Sequence, residues 1–201
     1  MENLLTIAIL LPLASAFLAF LLPAKKPGAI RALAIFATGV SLLLTLYVFS
    51  QFNRQYAGYQ FVFTHEWVKS LGINLKFGVD GISMTLLLLV GIVSFCGALV
   101  SHEIHDRQKE YYILFLALTS GISGTFCAMD MFFFYFFYEL AVIPMYLLIA
   151  IWGWVKTREY AAMKLTLFDL DGTLLEIDSD HAFGEFLVRL GWADGEDFRR
   201  T

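Results

Sequence analysis

The sequence has little charge and almost no cysteine for its length. Of its 201 residues, 16% are Asp, Glu, Lys or Arg and 59% are hydrophobic, and the mean hydropathy is +0.69. Because soluble domains typically carry about 25% charged residues, this shortage excludes an ordinary soluble domain and indicates a membrane protein. The sequence also lacks the clustered Lys and Arg that nucleic acid requires, so we expect no nucleic-acid partner.

The two cysteines, Cys96 and Cys127, each lie in an apolar run. Free cysteine behaves as a small hydrophobic residue, and we expect both to be inert core thiols. The membrane spans proposed below place them at opposite faces, roughly 30 Å apart. That separation excludes a disulfide bond between them.

Five apolar runs are long enough to cross a bilayer, which takes about 20 residues in a helix. The short segments after the first, third and fifth runs contain Lys and Arg, which places those segments in the cytoplasm. The N-terminus is then expected outside and the C-terminal tail inside. We expect the first run to be a retained span, since it lacks the basic start of a signal peptide. The expected spans are 3–22, 29–51, 80–100, 111–129 and 131–153.

Residues 52–79 join the second and third spans. YQFVF and INLKF in this segment alternate partly between apolar and polar residues, which predicts a short hairpin at the outer surface. The predicted architecture is therefore an all-α membrane protein with five transmembrane helices and an outer hairpin loop.

The stretch FFYELAVIPMYLL, residues 136–148, places one carboxylate, Glu139, in an apolar span. Pro144 cannot donate a hydrogen bond to the carbonyl of Leu140, so it bends the helix and leaves that acceptor free. Tyr135, four residues before Glu139, is predicted to donate a hydrogen bond to it. Ionisable residues in spans usually serve proton relays or ion pairs, so we interpret Glu139 as a buried proton-relay residue. The alternative is a permanently protonated glutamic acid that serves packing.

The fourth run contains TSGISGT, residues 119–125. Gly121 and Gly124 have the small-residue spacing that lets another helix approach closely, so we expect a packing face. A polar path lined by hydroxyl groups is the alternative.

Two motifs carry a family resemblance. The segment GVDGIS at 78–83, preceded by EWVKSLGINLKF, and the segment FFYELAVIPMYLLIAIWG at 136–153 resemble subunit M, or chain 4, of bacterial respiratory complex I. That complex is the proton-translocating NADH–quinone oxidoreductase. The resemblance covers about residues 1–163, and cation/proton antiporter subunits share this ancestry.

The resemblance implies a multi-pass subunit of the bacterial inner membrane that assembles with the other membrane-arm subunits of complex I. It implies no flavin, iron–sulfur centre or nucleotide site in this chain. In that family the glutamate that matches Glu139 pairs with a lysine on a later helix, which this chain does not contain.

The last part of the chain differs in charge. Residues 1–163 contain 10 basic and 9 acidic residues, whereas residues 164–201 contain 4 and 9. We therefore expect two parts, a transmembrane fragment at 1–160 and a small cytoplasmic tail at 161–201.

The tail opens with MKLTLFDLDGT from Met163, an apolar strand followed by paired aspartates. This resembles the first motif of haloacid-dehalogenase-type phosphatases. The resemblance implies Asp169 as nucleophile and Mg²⁺ ligand and Asp171 as general acid/base and Mg²⁺ ligand. The sequence ends at Thr201 before the later motifs of that family, so we expect an incomplete α/β start with a helix at 181–191 and no activity. The chain is then a fusion, with a membrane-tethered phosphohydrolase or an inactive chimeric product as alternatives.

Overall fold

The computed structural model describes residues 2–23, 27–56, 58–68, 72–104 and 106–153. Asp169, Asp171 and the predicted helix at 181–191 lie outside the described residues. Met1–Leu148 form one compact unit, and all packing described below lies within it. The elements in chain order are α1 (Glu2–Leu21), α2 (Pro27–Ser50), β1 (Gln60–Val68), β2 (Ile73–Val79), α3 (Gly81–Val100), α4 (Gln108–Cys127) and α5 (Met131–Trp152), with a 3₁₀ turn at Ser101–Glu103.

Four of these helices are long and apolar enough to cross a membrane. They confirm the first, second, third and fifth predicted spans, with ends that differ by a few residues. The apolar segments are Asn3–Leu21, Gly28–Ser50, Gly81–Val100 and Met131–Trp152.

The helix α4 lies where the fourth span was predicted. With 20 residues it is long enough to cross a membrane, but it is not among the helices that are apolar enough to do so. Its first turn is Gln108-Lys109-Glu110, and small polar residues such as Ser120 and Ser123 interrupt its apolar part. The packing explains this composition. Because α4 contacts α1, α2 and α3, protein rather than lipid covers much of its surface.

Two core clusters hold the helices together. One cluster joins the end of α1, the start of α2 and the first half of α4, where Ala16, Ala19, Ala34 and Ala37 let the backbones approach around Tyr112. The other joins the start of α1 to the hairpin and to α5, and it includes the residues Leu5, Ile9, Phe77, Met84, Phe133 and Phe137.

A proline lies inside α1 and changes its hydrogen bonding. Pro12 has no N–H to give to the carbonyl of Ala8. Ser41 of α2 donates to that carbonyl oxygen at 2.6 Å, and Ser120 of α4 donates to the carbonyl oxygen of Ile9 at 2.7 Å. Both hydroxyl groups are buried, so two neighbouring helices are bonded to the proline-containing turn of α1.

The strands β1 and β2 form the hairpin predicted for residues 52–79 and pair antiparallel, with Gln60 opposite Val79 and Val68 opposite Ile73. The other edge of β2 meets the turn between α4 and α5. There Phe77 bridges Ala128. The N–H of Met129 also donates to the carbonyl oxygen of Lys76 at 2.8 Å. The hairpin is therefore attached to the start of α5.

The motif GVDGIS contains the start of α3. Asp80 is the N-cap residue, and its carboxylate accepts a hydrogen bond from the backbone N–H of Ser83 at 2.7 Å. This bond lowers the pKa of the Asp80 carboxyl, since it stabilises the charged form. The cap strengthens the helix fully above the ordinary pKa of aspartate, and this contribution is lost as the pH falls through the lowered pKa of the folded chain.

Candidate functional site

One face of α5 packs against the rest of the described chain. Phe133, Phe137 and Pro144 are buried and Leu140 is partly buried, and their spacing of three to four residues places them on one side of a helix. The ring of Phe137 lies 5.6 Å from that of Phe77 in β2. The hairpin and α4 thus determine which side of α5 is covered.

Gly121 and Gly124 allow α4 to lie directly against α5. A Cβ atom added at Gly121 would be 2.6 Å from the backbone nitrogen of Ala141 and 2.8 Å from the carbonyl carbon of Leu140. A Cβ atom at Gly124 would overlap the ring of Phe137. The small residues in TSGISGT therefore lie where the two backbones come closest.

The proline of α5 acts on the same peptide. Pro144 cannot donate to the carbonyl of Leu140, and Gly121 packs on the Leu140–Ala141 peptide. The helix nevertheless continues through Pro144 to Trp152. The free acceptor and the close helix contact are both one or two residues from Glu139.

Glu139 lies on the opposite side of α5. Each residue turns an α-helix by about 100°, so Glu139 points about 200° away from Phe137. The side chain is exposed, and so are the neighbouring Tyr135, Phe136 and Ile143. α4 and the hairpin cover only the other face of the helix, so no described residue buries Glu139. The interpretation of Glu139 as a buried proton-relay residue stays a prediction.

No hydrogen bond or ion pair from the described residues reaches the Glu139 carboxylate, and the predicted bond from Tyr135 is not formed. Two basic side chains near the start of α4 are bonded to groups other than Glu139. Arg107 pairs with Glu110. Lys109 donates to the carbonyl oxygens of Phe20 and Leu22, at the end of α1, at 2.8 and 2.7 Å.

Several threonine hydroxyl groups of the described helices bond within their own helix. Those of Thr38, Thr45 and Thr119 each donate to a carbonyl of their own helix four residues earlier, at 2.8 to 2.9 Å. Thr125 does the same to Gly121. Their geometry favours the packing interpretation of this region.

Within the ranges that the structure describes, no group of three His, Cys, Asp or Glu side chains could hold a metal ion.

Both cysteines are free. Cys127 is buried as predicted, whereas Cys96 is exposed, since it lies on a face of α3 that no described element covers.

A family model described as NADH:quinone oxidoreductase/Mrp antiporter, TM, matches residues 128–175, a segment that contains α5 and Glu139. The chain is 39% identical over 165 residues to NAD(P)H-quinone oxidoreductase chain 4 1 of Synechococcus elongatus, covering 82% of this chain and 31% of that protein. It is 38% identical over 179 residues to NADH-quinone oxidoreductase subunit M of Rhodobacter capsulatus, covering 87% and 34%.

Two solved structures are similar in fold. A chain of respiratory complex I from Thermus thermophilus with bound NADH matches with a TM-score of 0.67 and 30% identity, over 85% of this chain and 33% of that one. A chain of an archaeal membrane-bound sulfane sulfur reductase matches with a TM-score of 0.64 and 23% identity, over 83% and 34%, and shows the fold alone. The chain spans about a third of the length of the curated relatives it matches. In sequence and in fold, the chain is similar to a part of subunit M, or chain 4, of complex I.

Proposed function

We propose that the chain is part of a proton-translocating membrane-arm subunit of an NADH–quinone oxidoreductase, with Glu139 in the proton path. The observation that carries this proposal is the position of Glu139. The residue lies within an apolar span, on the face of α5 that the described residues leave uncovered, in a chain similar to complex I subunit M.

A carboxylate facing lipid at that depth costs about 2.5–3.5 kcal/mol or more. Ionisable residues in spans therefore face protein or a water-filled cavity. We infer that a helix bearing a basic residue covers the Glu139 face in the assembled protein, and the family resemblance points to a lysine. The other membrane-arm subunits of complex I are the proposed partners.

The chemistry is reversible proton exchange at one carboxyl group. When the cation is close, the ionised form is stabilised and the carboxylic acid releases its proton to water. When the cation withdraws, the low dielectric favours the neutral acid, which takes up a proton. The relay needs no redox group in this chain, because the reaction that drives the cation lies elsewhere in the complex.

The test is NADH-driven proton uptake by inverted membrane vesicles that contain the Glu139→Gln chain. Glu110→Gln is the matched control, since Glu110 is an exposed carboxylate at the start of α4 whose partner is Arg107. The expected result is argued in the Discussion.

We also propose that α4 spans the membrane as the fourth of five spans in chain order, and that the protein lies in a bacterial inner membrane with its N-terminus outside and its C-terminal tail in the cytoplasm. The packing supports this arrangement. Lys109 at the start of α4 contacts the end of α1, and Arg31 lies near the start of α2, so these basic residues gather at one end of the bundle. The hairpin lies at the other end, with the start of α1, which is the outer end by the positive-inside rule.

A cation/proton antiporter subunit is the second candidate, because the matching family model also covers the Mrp antiporters. The two functions differ in their driving force. Proton movement that requires a Na⁺ gradient and persists without NADH would favour the antiporter, whereas dependence on NADH favours the first proposal.

For residues 161–201 we keep the interpretation of a fused, inactive start of a haloacid-dehalogenase-type phosphatase with Asp169 and Asp171 as its first motif. The match to the antiporter family model extends to residue 175, past the proposed junction at about residue 163, and so does not support the phosphatase resemblance. Residues 161–201 lack the phosphate-binding and distal acidic motifs that such an enzyme needs. We expect the purified chain to hydrolyse no para-nitrophenyl phosphate in Mg²⁺. Turnover that disappears in Asp169→Asn would instead establish a membrane-tethered phosphohydrolase.

A further inference from the structure

Arg31, in the second turn of α2, has an unpaired donor inside the protein. Its side chain is partly buried, and its Nε atom is covered and has no hydrogen-bond partner among the described residues. No carboxylate within the described ranges pairs with it. Buried polar groups nearly always have a partner, and a buried charge that lacks one is costly. The donor is therefore available to an acceptor from outside those ranges.

The surroundings of Arg31 come from α2 and α4. Ile30 and Ala34, on either side of Arg31 in the sequence, pack in one cluster with the buried ring of Tyr112. Arg31 also interacts electrostatically with the phenol of Tyr112. The hydroxyl of Tyr112 donates to the carbonyl oxygen of Ser101 at 3.2 Å and leaves the Nε atom of Arg31 unpaired. Arg31 thus lies at the contact between the start of α2 and the start of α4.

A second cation lies at the same end of the bundle. Lys109 is three residues before Tyr112, so the two side chains lie on one side of α4. Its ammonium group donates to the carbonyl oxygens of Phe20 and Leu22, at the end of α1, and lies 5.5 Å from the centre of the Phe20 ring. An ammonium group has three N–H donors, so one remains for a further acceptor.

The donors, rather than the net charge, indicate the chemistry of that acceptor. The connection between α3 and α4 contains Asp106 as well as Arg107, so its charge is mixed. A guanidinium group binds a phosphate through two parallel N–H···O bonds, and Nε with one terminal nitrogen forms such a fork. The unpaired Nε of Arg31 is one half of this fork. A phosphate oxyanion, which also has an oxygen for Lys109, fits both cations.

The depth of Arg31 favours a lipid as the source of the phosphate. The apolar segment of α2 starts at Gly28, so Arg31 lies about 4.5 Å inside the end of the span. That depth is at the boundary between the hydrocarbon core and the headgroup layer, where an unaccompanied cation is costly. Phe20 and Leu21 are 64% and 65% exposed at the end of α1, so an apolar surface suited to acyl chains lies next to Lys109.

We propose that Arg31 and Lys109 bind the phosphate group of an anionic phospholipid, whose acyl chains lie along Phe20 and Leu21. The guanidinium of Arg31 supplies two parallel hydrogen bonds, and Lys109 supplies the remaining N–H of its ammonium group. The site lies at the end of the bundle where α1 ends and α2 begins. It is independent of Glu139 and of proton transfer.

The test measures lipid binding to the full chain in detergent by native mass spectrometry. Phosphatidylglycerol is the probe, and the parent chain should bind it more tightly than zwitterionic phosphatidylcholine. In Arg31→Gln we expect about tenfold weaker binding of phosphatidylglycerol, the usual loss when a hydrogen bond to a charged group is removed. Arg31→Lys keeps the charge but loses the fork, so its binding should be weaker by at least about threefold.

Arg54→Gln is the matched control. Arg54 is an exposed residue beyond the other end of α2, where its guanidinium lies 5.9 Å from the centre of the Phe49 ring. This variant should bind the lipid like the parent. Since the Nε atom of Arg31 has no partner to lose, Arg31→Gln should melt with the parent in lipid-free detergent, but phosphatidylglycerol should raise the melting temperature of the parent alone. Arg31→Lys serves where Arg31→Gln does not accumulate.

Equal affinity of the parent and Arg31→Gln for phosphatidylglycerol would overturn the inference, and so would an equal loss in Arg54→Gln. Displacement of the lipid by millimolar inorganic phosphate would assign the site to a free phosphate ion instead. A second protein that stays bound to the parent but not to Arg31→Gln, with lipid binding unchanged, would place Arg31 in a protein interface and would also contradict the proposal.

Discussion

The Glu139→Gln chain is expected to lose at least about tenfold of its NADH-driven proton uptake, because general acid–base groups contribute factors of this order or more. Glutamine has nearly the same shape as glutamate and can still form hydrogen bonds, but its amide group cannot release or accept a proton near neutral pH. The loss should therefore appear in transport while the amount of assembled protein stays the same.

The control separates this effect from a general loss of charge. Glu110→Gln removes an exposed carboxylate whose pairing with Arg107 is worth at most about 1 kcal/mol. We expect uptake close to that of the parent. Full uptake by Glu139→Gln, or an equal loss in Glu110→Gln, would show that the carboxyl of Glu139 is not part of the proton path.

The Gly121→Ala chain is expected to be less stable by about 1–3 kcal/mol, the usual cost of an additional methyl group in a tightly packed contact. The added Cβ atom would meet backbone atoms of Leu140 and Ala141 at 2.6 to 2.9 Å, and a backbone cannot change its rotamer to make room. The two helices must move apart, and the melting temperature in detergent should fall by several degrees.

Gly28→Ala is the matched control for this prediction. Gly28 is also a helical glycine, but no atom lies within 4 Å of a Cβ atom added there. Alanine has the higher helix propensity, so this variant should melt at the parent temperature or above it. A Gly121→Ala chain that melts with the parent would mean that α4 and α5 do not pack at this peptide.

Much of the fold could be predicted from local patterns. Runs of about 20 apolar residues indicate the helices, and the alternation in YQFVF and INLKF indicates the hairpin. The different composition of α4 has a tertiary cause. Its serines and glycines face other helices, and hydropathy alone does not distinguish that environment from a weak membrane span.

The direction of Glu139 could not be predicted, because aromatic and aliphatic residues surround it on every side of the helix. No polar face shows where it points. The covered side of α5 follows from Phe77 in the hairpin and from Gly121 and Gly124 in α4, all of them distant in sequence. Helix periodicity therefore places Glu139 within a span but does not indicate which partner it faces.

The hydrogen bonds around Pro12 show the same limit. A proline inside a helix predicts an unpaired carbonyl four residues earlier, which is that of Ala8. The sequence does not indicate the donors, since Ser41 is 33 residues from its acceptor and Ser120 is 111 residues from its own. Only the packing of α1 between α2 and α4 brings them together.

The central claim is that the Glu139 face of α5 meets protein rather than lipid, and photo-crosslinking tests it most directly. A photoreactive benzoyl-phenylalanine replaces Tyr135, which is exposed on the same face, and in a second chain it replaces Phe36, which is exposed on α2. Glu139 stays intact in both. The account predicts that the probe at position 135 forms a protein adduct in native membranes. An adduct with lipid alone from position 135, matching the probe at position 36, would contradict it.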